Sequence, residues 1–302
     1  MKKVLILGAG GMLGHVLFKW LAGKPGYDVH ATALADAGIS GNLSPQLAAR
    51  VQYGIDAENM DEVRQLISSM APYAVINCIG LVKQAYIAKN PLVAINVNAR
   101  FPHLLAQVCQ NSGARLIHIS SDGVFDGKKG MYTEKDAVSA SDLYCMTKFL
   151  GEVNGPNCLN IRTSIIGHEL LRKTGLVEWF LSQNEKVCGY TKSMYSGLPT
   201  VELAGIIGDY ILPNNTLSGI CHISSEPISR FDLLKLIADR YGKEIIIEPC
   251  DEPVSNRTLD SSLFRSLTGY KPPSWTELVD RMYREHGEYK EHFGKTSGGN
   301  RE

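Results

Sequence analysis

The chain has 302 residues, 44% of them apolar and 21% charged, ordinary proportions for a globular protein. At about 150 residues per domain the length gives one large domain or two modest ones, with core enough to fold without disulfides or metal. Lys plus Arg and Asp plus Glu both number 31. That balance excludes the basic excess of a nucleic-acid-binding protein, but not an anionic small ligand, which backbone amides can hold without net charge.

In chain order, the first predicted strand is Val4–Leu7, behind Met1-Lys2-Lys3. This opening imitates a secretory leader. Glycines at 8, 10, 11 and 14, then His15 and Lys19, break the apolar run too regularly for one. No later stretch approaches the roughly 20 apolar residues of a membrane span, so a soluble protein is expected. Further strands are predicted at Asp28–Leu34, Ala74–Ile79, Leu116–Ser120 and Leu159–Ile166. Helices are predicted at Asp61–Met70, with Val63, Leu66, Ile67 and Met70 on one stripe, and at Pro91–Asn111, with Leu104, Leu105 and Val108. Nearly continuous apolar strands alternating with helices predict an α/β fold, a Rossmann-type doubly wound parallel sheet.

After about residue 165 the rhythm loosens. Helices are predicted near Leu176–Ser182, Thr200–Leu212, Ser229–Tyr241 and Trp275–His286, with short strands at Gly219–Ile223 and Glu244–Glu248. Residues 1–165 therefore read as a dinucleotide-binding domain and 166–286 mainly as a smaller α/β substrate lobe, with room for one segment returning to the first. The polar, Gly-rich residues 287–302 read as a flexible tail. Seven cysteines lie no closer than thirteen residues apart, without C-x-x-C or zinc-ligand spacing. Free thiols in a reducing cytoplasm are the expectation.

Gly8-Ala9-Gly10-Gly11-Met12-Leu13-Gly14 follows the first strand and opens a helix, with glycines at 8, 11 and 14. In strand–turn–helix context this is a dinucleotide fingerprint: the turn needs glycine, and the first helical amides meet a diphosphate. A glycine turn without a ligand is the plainer reading, and a Walker loop is excluded because no Lys follows Gly14. A carboxylate at the tip of the second strand would select NAD. That tip falls at Ala33, with Asp36 slightly beyond. The missing acid favours NADP, with NAD as the second choice. Asp56 could accept from an adenine amino group or cap the helix that follows, and the sequence leaves these even.

Tyr144-Cys145-Met146-Thr147-Lys148 places a phenol and an ammonium one helical turn apart. A tyrosine titrates near pH 10, and a neighbouring positive charge, plus that of an oxidised nicotinamide ring, should favour the phenolate and lower that value for acid–base work. Ser121 closes the strand ending at Ser120 and precedes Tyr144 by 144 − 121 = 23 residues. Its hydroxyl could hold a carbonyl oxygen beside the phenol, or merely cap a loop. The glycine turn, Ser121 and the Tyr–Lys pair are far more specific together than apart.

On these motifs the chain resembles an extended short-chain dehydrogenase/reductase, most closely the dTDP-4-dehydrorhamnose reductase family. Also similar are Ile119-Ser120-Ser121-Asp122-Gly123-Val124-Phe125-Asp126-Gly127, Asn96-Val97-Asn98-Ala99, Asn160-Ile161-Arg162-Thr163-Ser164 and Gly197-Leu198-Pro199-Thr200. The resemblance implies Tyr144 as acid/base, Lys148 tuning it and holding the nicotinamide ribose, and Ser121 orienting the carbonyl. It implies a cofactor along Gly8, Gly11, Met12, Leu13, Gly14, Cys78, Ile79 and Gly80, with Asn98 near the proton path. Two positions depart from the family: Ser121 stands where Thr is usual, and Gly123 where an aromatic is usual. Serine keeps the hydroxyl; Gly123 removes a side chain from the substrate side.

The implied activity is NAD(P)H-dependent reduction of a keto group on a nucleotide-linked deoxysugar by a cytoplasmic enzyme, as a homodimer in one form, without nucleic acid or membrane. An epimerase using the same residues is the alternative. A non-catalytic NADP-binding subunit, like the methionine adenosyltransferase β-subunits of this family, is another. His118 reads as a packed core residue and Cys145 as packing, and His168-Glu169 lacks a second metal-binding histidine. Arg162 and Arg257 could grip a diphosphate, but read first as structural or surface arginines.

Overall fold

The computed structural model describes residues 1–36, 38–81, 90–170 and 173–293, with side chains through 287. Its first half runs β1 (Lys2–Leu7), α1 (Met12–Ala22), β2 (Tyr27–Ala33), α2 (Pro45–Ala48), β3 (Val51–Tyr53), α3 (Met60–Met70), β4 (Ala74–Asn77), α4 (Pro91–Ala94), α5 (Phe101–Ser112), β5 (Arg115–Ile119), α6 (Leu143–Leu150) and β6 (Cys158–Arg162). Its second half runs β7 (Ile165–Ile166), α7 (Leu176–Ser182), β8 (Lys186–Tyr190), β9 (Ser193–Tyr195), β10 (Leu198–Pro199), α8 (Thr200–Ile206), β11 (Gly219–His222), β12 (Ile228–Ser229), α9 (Arg230–Tyr241), β13 (Ile246–Cys250), β14 (Ser255–Asn256), α10 (Ser262–Thr268) and α11 (Trp275–Phe293).

A seven-stranded sheet in the order β3-β2-β1-β4-β5-β6-β11 forms the centre. Every pairing in it is parallel. The order reverses between β1 and β4, and ligands of such sheets bind at that crevice, beyond the carboxyl ends of the strands. β1 shows why the strands are apolar end to end. Val4 and Ile6 enter one core with Leu13, Leu17 and Leu203, while Leu5 and Leu7 enter the other with Val63, Ile67 and Leu105. Each such side chain contributes about 1.5–3 kcal/mol by leaving water. β11 returns from the second half of the chain to the sheet edge beside β6.

The residues predicted as one strand over Leu159–Ile166 divide. β6 stays in the central sheet, while β7 pairs with β10 in a separate one. The break falls at Thr163 and Ser164, whose carbonyls accept Asp122 N–H and Leu198 N–H at 3.1 and 2.8 Å. The helix predicted over Pro91–Asn111 contains a wider π turn at Ile95–Arg100, where Phe101 N–H bonds Asn96 O, five residues back. Pro102 has no N–H to offer, so the ladder cannot run regularly there. The short β3, without a strong apolar signature, was not predicted. α11 continues to Phe293, seven residues into the segment read as a tail.

Against the expectation of free thiols, Cys188 and Cys250 form a disulfide. β8 and β13 pair in parallel, with Cys188 opposite Glu248 and Cys250 opposite Tyr190. This brings the two Cα atoms to 5.8 Å, within bonding reach across 62 residues of sequence. The other five cysteines take no part in a disulfide. Among the described residues no helix is long and apolar enough to cross a membrane, and no cluster of His, Cys, Asp and Glu could hold a metal ion.

Candidate active site

The glycine turn sits at the end of β1. Gly8 adopts φ +92°, and Gly8 and Ala9 both donate to Thr32 O, at 3.0 and 2.8 Å. A β-carbon on Gly14 would overlap Gly8 O, so the helix can start this close to the strand only with glycine there. Gly11 caps α1 without a side chain, and no acid lies in the first turn. The N–H groups at Met12, Leu13 and Gly14 thus begin a helix whose positive end is unopposed. Cys78 N–H donates to Leu7 O, and Ile79 lies against Gly8, so Cys78–Gly80 runs beside the turn. Burial pushes the Cys78 thiol up to about 12.

From Gly80 the line continues to the reacting groups. A β-carbon there would stand 3.5 Å from Asn98 Oδ1 and 3.7 Å from Lys148 Nζ. Asn98, in the π turn, accepts Leu81 N–H at 2.9 Å and donates to Thr147 Oγ1 at 3.3 Å. Thr147 donates in turn to Tyr144 O at 2.9 Å, fixing the turn of α6 that carries the phenol. Asp142 starts that helix by accepting Cys145 N–H at 2.8 Å. Lys148 is buried, and its Nζ donates to Ile119 O at 2.6 Å. Burial lowers it to about 8, against the raising influence of Glu152 and Cys78.

Ser121 stands at the end of β5 in extended backbone, and its Oγ accepts Gly123 N–H at 3.0 Å. The Ser121 hydroxyl acts on the Tyr144 phenol in favour of its ionised form. In the chain alone burial dominates over any lowering by Lys148 and raises Tyr144 to about 12, with Asp122, Cys145 and Asp142 adding to the rise and Ser121 opposing it. The Lys148 ammonium itself donates to Ile119 O.

Asp122, quoted in the sequence motif but given no role, is the most perturbed acid of the site. Burial raises it to about 6 despite Arg257, the Ser121 hydrogen bond and Arg230. Arg257 Nε donates to Phe125 O at 2.9 Å, and the Arg230 guanidinium lies 5.3 Å from the centre of the Tyr195 ring. Burial also raises the Tyr195 phenol. Nothing local marked Arg230 or Tyr195 in the sequence; they come from the start of α9 and the end of β9. Arg162, by contrast, is a structural residue. It makes two 2.7 Å bonds to Glu152, which also takes the Ser120 hydroxyl.

Asp56 lies beyond β3, where its Oδ1 accepts Glu58 N–H at 2.9 Å in a tight turn. Asn59, not Asp56, occupies the cap position of α3. Asp36 binds Ser40 through both its backbone N–H and its hydroxyl, which holds the carboxyl below the usual range. His118 is buried with Nδ1 3.1 Å from Asn77 Nδ2, and His168 is 2.6 Å from Glu178 and 2.8 Å from Tyr241. Gly123 borders the site: a β-carbon there would stand 3.0 Å from Cys145 Sγ and 3.2 Å from Ser121 Oγ.

Comparison with known proteins follows the same outline. The chain is 26% identical to the dTDP-4-dehydrorhamnose reductase of Aggregatibacter actinomycetemcomitans, over 93% of this chain and 98% of that one. It is 30% identical to methionine adenosyltransferase 2 subunit beta of Rattus norvegicus, over 94% and 90%. Its fold is similar to a dTDP-4-dehydrorhamnose reductase of Clostridium acetobutylicum (TM-score 0.79, 23% identity, 94% and 99% covered). It is likewise similar to the Bacillus anthracis reductase in complex with NADP (TM-score 0.78, 23% identity, 94% and 100% covered). The RmlD substrate binding domain profile matches residues 1–287, and the chain belongs to that family.

Proposed function

We propose that this protein is an NADPH-dependent reductase of a keto group on a nucleotide-linked deoxysugar. The support carrying this reading is a series of close approaches, from the glycine turn to Cys78 and Ile79, from Gly80 to Lys148, and from Gly123 to Ser121 and Tyr144, in a sheet whose order reverses between β1 and β4. Its support is the family membership and the reductase activity of the relative that matches nearly the whole chain. The chain's groups fit a dinucleotide: the Gly8–Gly14 cradle would be closed by a β-carbon, and a helix N-terminus lies behind it. Gly8, Gly11, Met12, Leu13 and Gly14 would hold the diphosphate, and Cys78, Ile79, Gly80, Asn98 and Lys148 the nicotinamide half. When bound, NADPH supplies the hydride. NADP is preferred on two grounds: no acid closes β2, and a fold relative carries NADP.

Tyr144 gives its proton to the substrate oxygen as charge develops there, and Ser121 donates a second hydrogen bond to the same oxygen. Lys148 balances the phenolate left behind. Arg230 and Arg257, set beside Asp122, offer cations to a sugar-linked diphosphate from the second half of the chain. Phe149, Leu150 and Met146 of α6 are exposed, as are Leu92 and Ile95 nearby. This apolar face suits a second copy of the chain. The proposed compartment is the cytoplasm, where the exposed Cys188 would exchange with the thiol pool.

The test is NADPH oxidation with dTDP-4-dehydrorhamnose. Tyr144→Phe should lower kcat by about a thousandfold, on the scale of general acid catalysis, while NADPH binding persists. A variant as fast as wild type removes Tyr144 from the chemistry. An epimerase would turn over without net NADPH loss. The 30% identity to a methionine adenosyltransferase subunit favours a second reading, a non-catalytic NADP-binding subunit. Co-purification with a partner and no turnover would establish it.

A further inference from the structure

Gly123 lies beside Ser121 Oγ and the Tyr144 ring, and its backbone angle is one any residue adopts. Glycine is therefore present for space, not for conformation. A β-carbon at this position would stand 3.0 Å from Cys145 Sγ, 3.2 Å from Ser121 Oγ and 3.8 Å from Tyr144 Cε1. The first two separations are closer than carbon packing tolerates without movement. The backbone of Gly123 also holds Ser121, through the 3.0 Å N–H to Oγ bond. Cys145 is buried on the first turn of α6, next to Tyr144, with its N–H tied to Asp142. Its sulfur thus fills the volume that a side chain at 123 would claim.

We propose that Gly123 and Cys145 are a matched pair of positioning residues that sets how closely Ser121 Oγ approaches the Tyr144 phenol. The inference rests on the reductase reading for its kinetic consequence, but not for its packing. A larger residue at 123 must push either Ser121 Oγ or the Cys145 turn, and both carry reacting groups. Displacements of a few tenths of an ångström in such a pair reduce turnover far more than binding. The glycine cradle lies on β1 and α1 and is untouched, so the cofactor KM should not move.

A four-protein cycle tests this: wild type, Gly123→Ala, Cys145→Ala and the double variant, each assayed with NADPH and dTDP-4-dehydrorhamnose and each unfolded thermally. Gly123→Ala should lower kcat by about tenfold with KM for NADPH unchanged. Adding Cys145→Ala should recover most of that loss, since removing Sγ makes room for the new methyl. The unfolding midpoints should show the same non-additivity. A fully active Gly123→Ala, or a double variant no better than that single one in both readouts, overturns the pairing. A wild type that reduces no keto-sugar refutes the reductase reading instead. The unfolding cycle then decides the packing claim alone: additive midpoints refute it, coupled ones uphold it.

Discussion

Replacing Asp122 by Asn should stabilise the protein at neutral pH. The carboxyl is held in the site by Ser121, with Arg257 and Arg230 near it, yet burial still raises it to about 6 from its ordinary 3.8. Between those values the folded chain holds a proton that the unfolded chain has released. Stability therefore falls as pH rises across that window and stays low above it. At about 1.4 kcal/mol per pH unit, the loss is about 3 kcal/mol. Asn carries no charge to desolvate and can still accept from the Ser121 hydroxyl. Urea unfolding should thus find Asp122→Asn more stable by about 3 kcal/mol near pH 8, with the gap closing towards pH 4. A gap that is constant with pH, or a variant less stable near pH 8, refutes the reasoning. Keeping an acid there at this cost fits a site selected for chemistry rather than for stability.

Turnover should fall as pH rises through about 8, because the buried Lys148 loses its charge there while Tyr144, raised to about 12, stays protonated; a kcat profile flat to about pH 9.5 would contradict this. Glu152→Gln strips the carboxylate from the buried Arg162, and unfolding should register a loss of about 3–5 kcal/mol. Cys188→Ser opens a cross-link spanning 62 residues, which should cost about 4 kcal/mol. Thiol titration of the denatured, unreduced protein should find the five cysteines outside the disulfide, rising on reduction.

What sequence reveals here is whatever has a short period. β1 reads plainly because both its faces are buried, and the glycine turn reads plainly because its constraints lie within seven residues. The Tyr144–Lys148 pair is equally local, one turn of one helix. Long-range pairings leave no such trace. Cys188 and Cys250 meet only because β8 and β13 happen to pair, and Arg230 and Tyr195 reach the site from elements with no motif of their own. The π turn is an intermediate case. Pro102 is visible in the sequence, but its effect depends on a helix continuing past it. Of the two roles left even for Asp56, the cap belongs to Asn59: a carboxylate four residues before a helix fits a turn as well as a cap, and Asp56 accepts Glu58 N–H in a turn.

The correction at Tyr144 bears on the direction of the chemistry. From sequence, Lys148 was to lower the phenol so that it could lose its proton readily. In the fold the ammonium is bound to Ile119 O, and burial holds the phenol protonated to about 12. A reduction needs a loaded proton donor before charge appears on the substrate oxygen, and this arrangement supplies one at every physiological pH. An oxidation needs the phenolate first, and the chain's own groups disfavour it. An epimerase must run both directions through one residue at comparable ease. Before a cofactor binds, the phenol is thus a loaded proton donor, which fits the reductive direction, and net NADPH consumption is what separates a reductase from an epimerase.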